Sequence, residues 1–152
     1  MPGHGMGDLV SRDVGLNWPD QTLDQLEGVD WGDPTYSSYV VTNAHRLRKK
    51  PLREFTPEDL RFMLGQQISL PILMPMALDV LEIDPCAGGD MSAGTLLFHA
   101  LGVDRQFWQE HPKLWYRLDV ILDQLHAFRE FIERELIPAS EQFQAARPDL
   151  AP

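Results

Sequence analysis

Residues 69–81 read SLPILMPMALDVL, an apolar run broken only by two prolines and a single acid. Pro71 suits the first turn of a helix, where its missing N–H would have had no intrahelical partner. Ser69 stands where a cap for that turn belongs. Pro75 falls at the fifth helical position, at the edge of the stretch where a lost donor is tolerated. Ile72, Leu73, Met74, Met76, Ala77, Leu78, Val80 and Leu81 leave the helix apolar nearly all round. A helix of that kind has to be covered on every side, so it predicts a bundle in which other elements wrap a central rod.

The remaining chain offers helices, not strands, for the wrapping. Thr22 caps a short LDQLE helix that stops at Gly28. DWGDP at 30–34 is turn chemistry, with an Asp able to bond its own backbone. Ser37 or Ser38 opens a helix reaching Arg48 or Lys49, with Val40, Val41, Ala44 and Leu47 at helical spacing. Its last turn is basic, which complements the carbonyl end of the helix dipole, and Pro51 closes it. Thr56, Pro57, Glu58 and Asp59 begin another helix, with Leu60, Met63, Leu64 and Gln67 on one face and Gly65 near its end. Asp90 is expected to cap MSAGTLLFHAL, stopped at Gly102, and Asp104 to cap RQFWQEH. Pro112 opens a long segment whose stripe runs through Leu114, Leu118, Ile121, Leu122, Leu125, Phe128, Ile132 and Leu136. Pro138 is expected to start a separate short helix ending near Ala146. No period-two alternation bounded by hairpin turns occurs. The reading is an all-α, compact single-domain bundle of about seven helices. Residues 1–20 form a loose leader, 21–147 the domain and 148–152 a short tail.

At 152 residues such a domain buries roughly 68–70% of its unfolded surface, so its core needs neither disulfide nor metal. The single cysteine, Cys86, fits a reducing cytoplasm and is expected to pack as a small apolar side chain. No signal peptide is expected, because the N-terminus has no basic stretch leading into an apolar one, and no run is long enough to span a bilayer. The net charge of −10 argues against direct nucleic-acid binding, since phosphates repel such a surface. That charge is unevenly spread. Residues 46–53, RLRKKPLR, hold five bases and no acid; the first 33 positions set seven acids against Arg12 alone; and residues 79–104 hold five acids with no Lys or Arg. Such a field speeds encounter with a basic partner.

Enzymatic motifs are missing. His4, His45, His99, His111 and His126 form no HxxxH or HExxH pair, and there is no CxxC, GxSxG, P-loop or GxGxxG. No metal and no cofactor are therefore expected. Asp79 and Glu82 share a helical face and could do acid–base work, but no nucleophile accompanies them and a solvated face explains them. Trp18 and Trp31 stand among carboxylates, where exposed aromatics often anchor a binding surface.

The order of these pieces is familiar. A WGDP turn precedes a helix ending in HRLRKKPL, then FTPEDLR, then GQQISLPILMPMAL, then GGDMSAGTLLFHAL ahead of Phe107-Trp108. Over residues 30–108 this resembles the immunity proteins of contact-dependent growth inhibition (CDI) systems. Where family members carry an aromatic–proline pair and an acid, this chain has Met91-Ser92-Ala93 and Thr95, a departure that bears on partner choice. The resemblance implies a cytoplasmic, non-enzymatic antitoxin that binds and neutralises the C-terminal domain of one cognate toxin, often a nuclease. The partner-binding residues expected on this reading are Asp79, Glu82, Asp84, Asp90, Asp104, Asp30, Asp33 and Trp31. The competing readings are a helical regulatory or adaptor protein for another basic partner, and a small enzyme built on Asp79/Glu82 or His99.

Overall fold

The computed structural model describes residues 19–88 and 92–148, and these form helices, turns and no strand. The order is α1 (Leu23–Glu27), α2 (Tyr39–Arg48), a 3-10 turn (Leu52–Glu54), α3 (Pro57–Gly65), α4 (Leu70–Ile83), α5 (Thr95–Leu101), α6 (Arg105–Glu110) and α7 (Pro112–Phe131). A π-helical turn (Ile132–Leu136) then leads without a break into α8 (Ile137–Ala145).

Capping accounts for most of these boundaries. Thr22 and Thr56 each close a capping box, with Gln25 and Asp59 as the reciprocating side chains, which satisfies two otherwise orphaned donors per helix. Ser38 caps α2 through the N–H of Val41. Gly28 ends α1 in the left-handed region at φ 66°, where glycine carries no steric penalty.

Four boundaries depart from expectation. Ser69 occupies the N-cap position of α4 at φ 53° but makes no cap bond; its hydroxyl is engaged elsewhere, as shown below. Asp104 precedes α6 without capping it, and its own N–H donates to the Gln67 side chain at 2.9 Å. Gln67 itself sits past the end of α3 at φ 54° rather than on its apolar face. The helix expected from Asp90 starts only at Thr95, after Gly94 at φ 82°; a left-handed residue there interrupts the helical path, and Asp90 lies outside the described residues. Cys86 is also corrected: it is exposed, with its N–H bonded to Asp84 Oδ1.

Helix α4 is the central rod. Leu73, Met74, Ala77, Leu78 and Leu81 are fully buried, and the helix packs against α3, α5 and α7. Leu60, Met63 and Leu64 of α3 meet Leu96, Leu97 and Ala100 of α5, and Leu114, Leu118 and Ile121 of α7 close the far side. Truncating one such leucine costs about 2–5 kcal/mol, through lost transfer energy and the cavity left behind. In α2 the buried face is Asn43, Ala44, Leu47 and Arg48, rotated from the expected one so that Val40 is exposed.

The stripe on α7 divides at Leu125. Up to that residue it packs on the core, with Leu122 and Leu125 half-buried there. Beyond it the helix runs on alone: from His126 to Pro148 only Ile132 is even partly buried. Pro138 stands in the first turn of α8, as expected, but no break in the helical path precedes it. It lacks an N–H and its ring would clash with the carbonyl four residues back; the π-turn absorbs this by passing the Ile137 N–H to the Ile132 carbonyl, five residues away. The continuous rod from Pro112 to Ala145 is roughly 50 Å long at 1.5 Å per residue, and its outer half is an arm.

Candidate functional site

The basic run at the end of α2 is paired within the fold, and one member of it is buried. Arg48 is only 2% exposed. Its Nε donates to Asp24 Oδ1 at 2.7 Å and its Nη1 to Glu27 Oε1 at 2.7 Å and Ser69 Oγ at 3.1 Å. Ser69 in turn donates to Glu27 at 2.6 Å, and the guanidinium lies 4.4 Å from the Trp31 ring centroid. Trp31 also meets His45 edge-on. This one side chain therefore ties α1, the DWGDP turn and the start of α4 to the end of α2. The neighbours follow suit: Lys49 pairs with Asp24 and Asp30, Lys50 with Asp59, and Arg53 with Asp20. Lys49 and the Gly32 N–H hold the Asp30 carboxyl below its ordinary pKa, the Gly32 bond contributing most. Asp30 and Trp31, both expected to face a partner, thus also take part in this intramolecular charge cluster, and both stay open to solvent, Trp31 at 41% and the Asp30 side chain at 74%.

At the other end of α4 the carboxylates face outward. Asp79 and Glu82 stand one turn apart and share Arg117 of α7, which donates from Nη2 to Asp79 and from Nε to Glu82, each at 2.7 Å. The bond to Glu82, then that to Asp79, raises the Arg117 pKa against the opposing effect of burial. Both acids keep substantial exposure at 71% and 45%. Asp84 follows them, exposed at the end of the helix. The expected acids therefore split between the two ends of α4, roughly 20 Å apart along its axis. Asp79, Glu82 and Asp84 gather at its C-terminal end; Asp30 lies near its start through Arg48 and Ser69, and Asp104 through Gln67. Asp33 is exposed on the turn beside Asp30.

Sequence reasoning missed the neighbouring face of α7. At 100° per residue Tyr116, Asp119, Val120 and Asp123 fall on the side away from the buried Leu114, Leu118 and Ile121, and Trp115 lies a quarter turn from that stripe. Trp115, Tyr116 and Val120 are 44%, 64% and 55% exposed, with the two aromatic rings edge-to-face at 5.1 Å. Beside them Leu101, Val103, Arg105, Trp108, Trp115 and Tyr116 line an open groove of about 530 Å³. The available signal was the helical period of α7 itself: residues off its apolar stripe reach solvent, Tyr116 opposite the stripe and Trp115 on its flank.

The described residues hold no group of three or more His, Cys, Asp or Glu that could bind a metal. His99 is a boundary residue: its Nε2 lies 3.3 Å from Arg61 Nη1, and burial, then the Arg61 charge, lowers its pKa below 6.5. No described helix is long and apolar enough to cross a membrane.

Against known proteins, residues 25–118 match the family model for CDI immunity proteins. This covers the segment on which the sequence resemblance rests, from the DWGDP turn to Trp108, and extends into α7. No curated protein and no solved structure matches the chain.

Proposed function

The chain belongs to the CDI immunity proteins, and from that premise we propose that it neutralises a basic toxin domain, a nuclease, by covering it with the outward face of α7 and the C-terminal end of α4. The observation that carries the reading is where charge is left over after internal pairing. In residues 19–65, eight acids meet six bases, and most of those bases are committed to named carboxylates. In residues 70–123 outside 89–91, seven acids meet three bases, and of these bases Arg117 alone is held by carboxylates among the described residues. Part of that excess, Asp119 and Asp123, shares the outer side of α7 with the exposed Tyr116. Trp and Tyr supply desolvated anchors at interfaces, while the carboxylates steer a basic partner and set specificity. The site residues on this reading are Asp79, Glu82 and Asp84, joined by Trp115, Tyr116, Asp119 and Asp123. Asp33 and Asp104, toward the other end of α4, remain secondary candidates, as does Asp90, which lies outside the described residues. Inhibition proceeds by occlusion in the cytoplasm, with no turnover.

A nuclease cleft is lined with cations that grip phosphate, so an acidic surface of standard size, about 1,600 Å² buried in total, can fill it with nanomolar or tighter affinity. The test is co-expression with the C-terminal domain encoded by the neighbouring upstream gene. Growth rescue and a 1:1 complex on a sizing column are expected. Failure to capture that domain at any ionic strength would sink the proposal.

A further inference from the structure

The groove beside the outer face of α7 carries a charge of the opposite sign to the surface around it. Its lining is largely apolar, with Leu101, Trp108, Trp115 and Tyr116 as the large side chains. Arg105 is the single charged side chain among the described residues that line it. It is exposed and has no ion pair among the described residues. Every base of residues 46–53, by contrast, is matched to a carboxylate of the fold.

The groove is built before anything enters it. The Asp104 N–H donates to the Gln67 side chain at 2.9 Å, which fixes the start of α6 on the end of α3. At the far end of α6 the His111 ring stacks on the buried Phe107 at 4.3 Å, and its Nδ1 donates to the Phe107 carbonyl at 2.8 Å. Trp108 meets the same Phe107 ring edge-on at 5.2 Å. A site whose walls are already held loses less ordering entropy when it is filled. Its volume of about 530 Å³ falls within the roughly 300–1,000 Å³ of clefts that enclose a ligand.

An arginine beside an apolar lining, with no carboxylate of its own, is half of a pair. Its planar fork matches a carboxylate with two parallel bonds, and such bonds strengthen once aromatic side chains exclude water. We infer that the groove seats a projecting segment of the toxin domain in which an apolar side chain stands next to an Asp or Glu, with that carboxylate paired to Arg105. The inference rests on the toxin reading, and the whole lining lies within the family-matched segment 25–118. It divides the work of the surface. The carboxylates of α4 and α7 attract any basic domain, whereas the groove accepts only one that carries an acid at the matching place. A basic side chain there meets Arg105 as a like charge, and rejection of that kind is what separates one partner from another.

The test measures the association and dissociation rates of Arg105→Ala with the C-terminal domain encoded by the neighbouring upstream gene. Net charge alone favours tighter capture, because the variant is more acidic and the toxin basic. The groove requires the reverse: dissociation about 30-fold faster, as when one partner of a desolvated pair is truncated. Leu101→Asp, at an exposed position, sets a like charge against the incoming carboxylate. It is expected to weaken capture as well, again against the sign of its charge. Benzoylphenylalanine in place of Gln109, which also lines the groove, is expected to photo-cross-link to a toxin segment containing an Asp or Glu. Wild-type affinity or better in either variant overturns the inference and leaves the toxin reading standing, as does a cross-linked segment without an acid. An unaltered chain that captures nothing overturns both.

Discussion

Two regions of this molecule are rich in carboxylates and use them in opposite ways. Around Arg48, Asp24 and Glu27 are bound to one buried guanidinium, and Asp30 and Asp20 are held by Lys49 and Arg53. Along the end of α4 and the outer face of α7, Asp79 and Glu82 share one arginine and Asp84 and Asp123 stand exposed without an ion pair among the described residues. Both regions look alike as a count of acids. They differ in whether the chain supplies the counter-charge itself, and that decides whether a charge holds the fold together or remains for a partner.

The strongest way to break the comparison is to remove Arg48. Arg48→Ala leaves Asp24 and Glu27 beside each other without their main partner, and losing one side of a buried pair costs about 3–5 kcal/mol. Because Glu27 is one-third exposed, the lower end of that range is expected in urea denaturation. An unchanged midpoint would mean that the cluster is decoration. Next comes the opposite case. Tyr116→Ala and Trp115→Ala are expected to weaken capture of the toxin domain by about 30-fold each, near 2 kcal/mol, as central aromatic anchors do. Their unfolding midpoints should stay close to wild type, since both rings are largely outside the core. Full affinity after both changes would remove α7 from the binding surface.

A third contrast separates the two kinds of carboxylate directly. Asp119→Asn combined with Asp123→Asn is expected to slow toxin association about tenfold at low salt, with the difference vanishing as salt screens the field. Asp30→Asn, whose charge is already answered by Lys49, is expected to leave the association rate unchanged. Equal slowing by both would show that total charge, and not its placement, governs encounter; stopped-flow mixing across a salt series reads this out.

How much of this was legible beforehand follows the range of each interaction. The helices were legible because caps and periodicity are local: Thr22, Ser38 and Thr56 sit within three residues of the donors they satisfy. The burial of α4 could be read from its own composition. Ser69 was misjudged because its hydroxyl serves Arg48 and Glu27, each at least 21 residues away, and nothing local announces that. Distance likewise hides the intramolecular partners of Trp31, whose ring meets a guanidinium from α2, and of Asp79 and Glu82, whose arginine arrives from α7. The acids were visible one by one, but their partners were not. The α7 stripe gives the remaining lesson. Its periodicity continues past Leu125 unchanged, yet a period marks which face is apolar and not what covers it.

The smallest effect tests the rule at a residue kept uncharged rather than paired. His99, on the seam between α3 and α5, sits against Arg61, and partial burial together with that cation lowers its pKa, opposed by Glu58. The unfolded chain takes up a proton near pH 6.5, whereas the folded chain resists it to lower pH. The contribution of His99 to stability is therefore complete above about 6.5 and is lost as pH falls through the folded value. His99→Gln keeps an acceptor for Arg61 but cannot titrate, so its urea midpoint is expected to fall less than that of wild type between pH 7.5 and pH 5. Carboxylates, which titrate lower, contribute equally to both proteins. If the two midpoints fall in parallel, the neutral state of His99 carries no stability, and placing a cation beside it has no cost that the fold must offset.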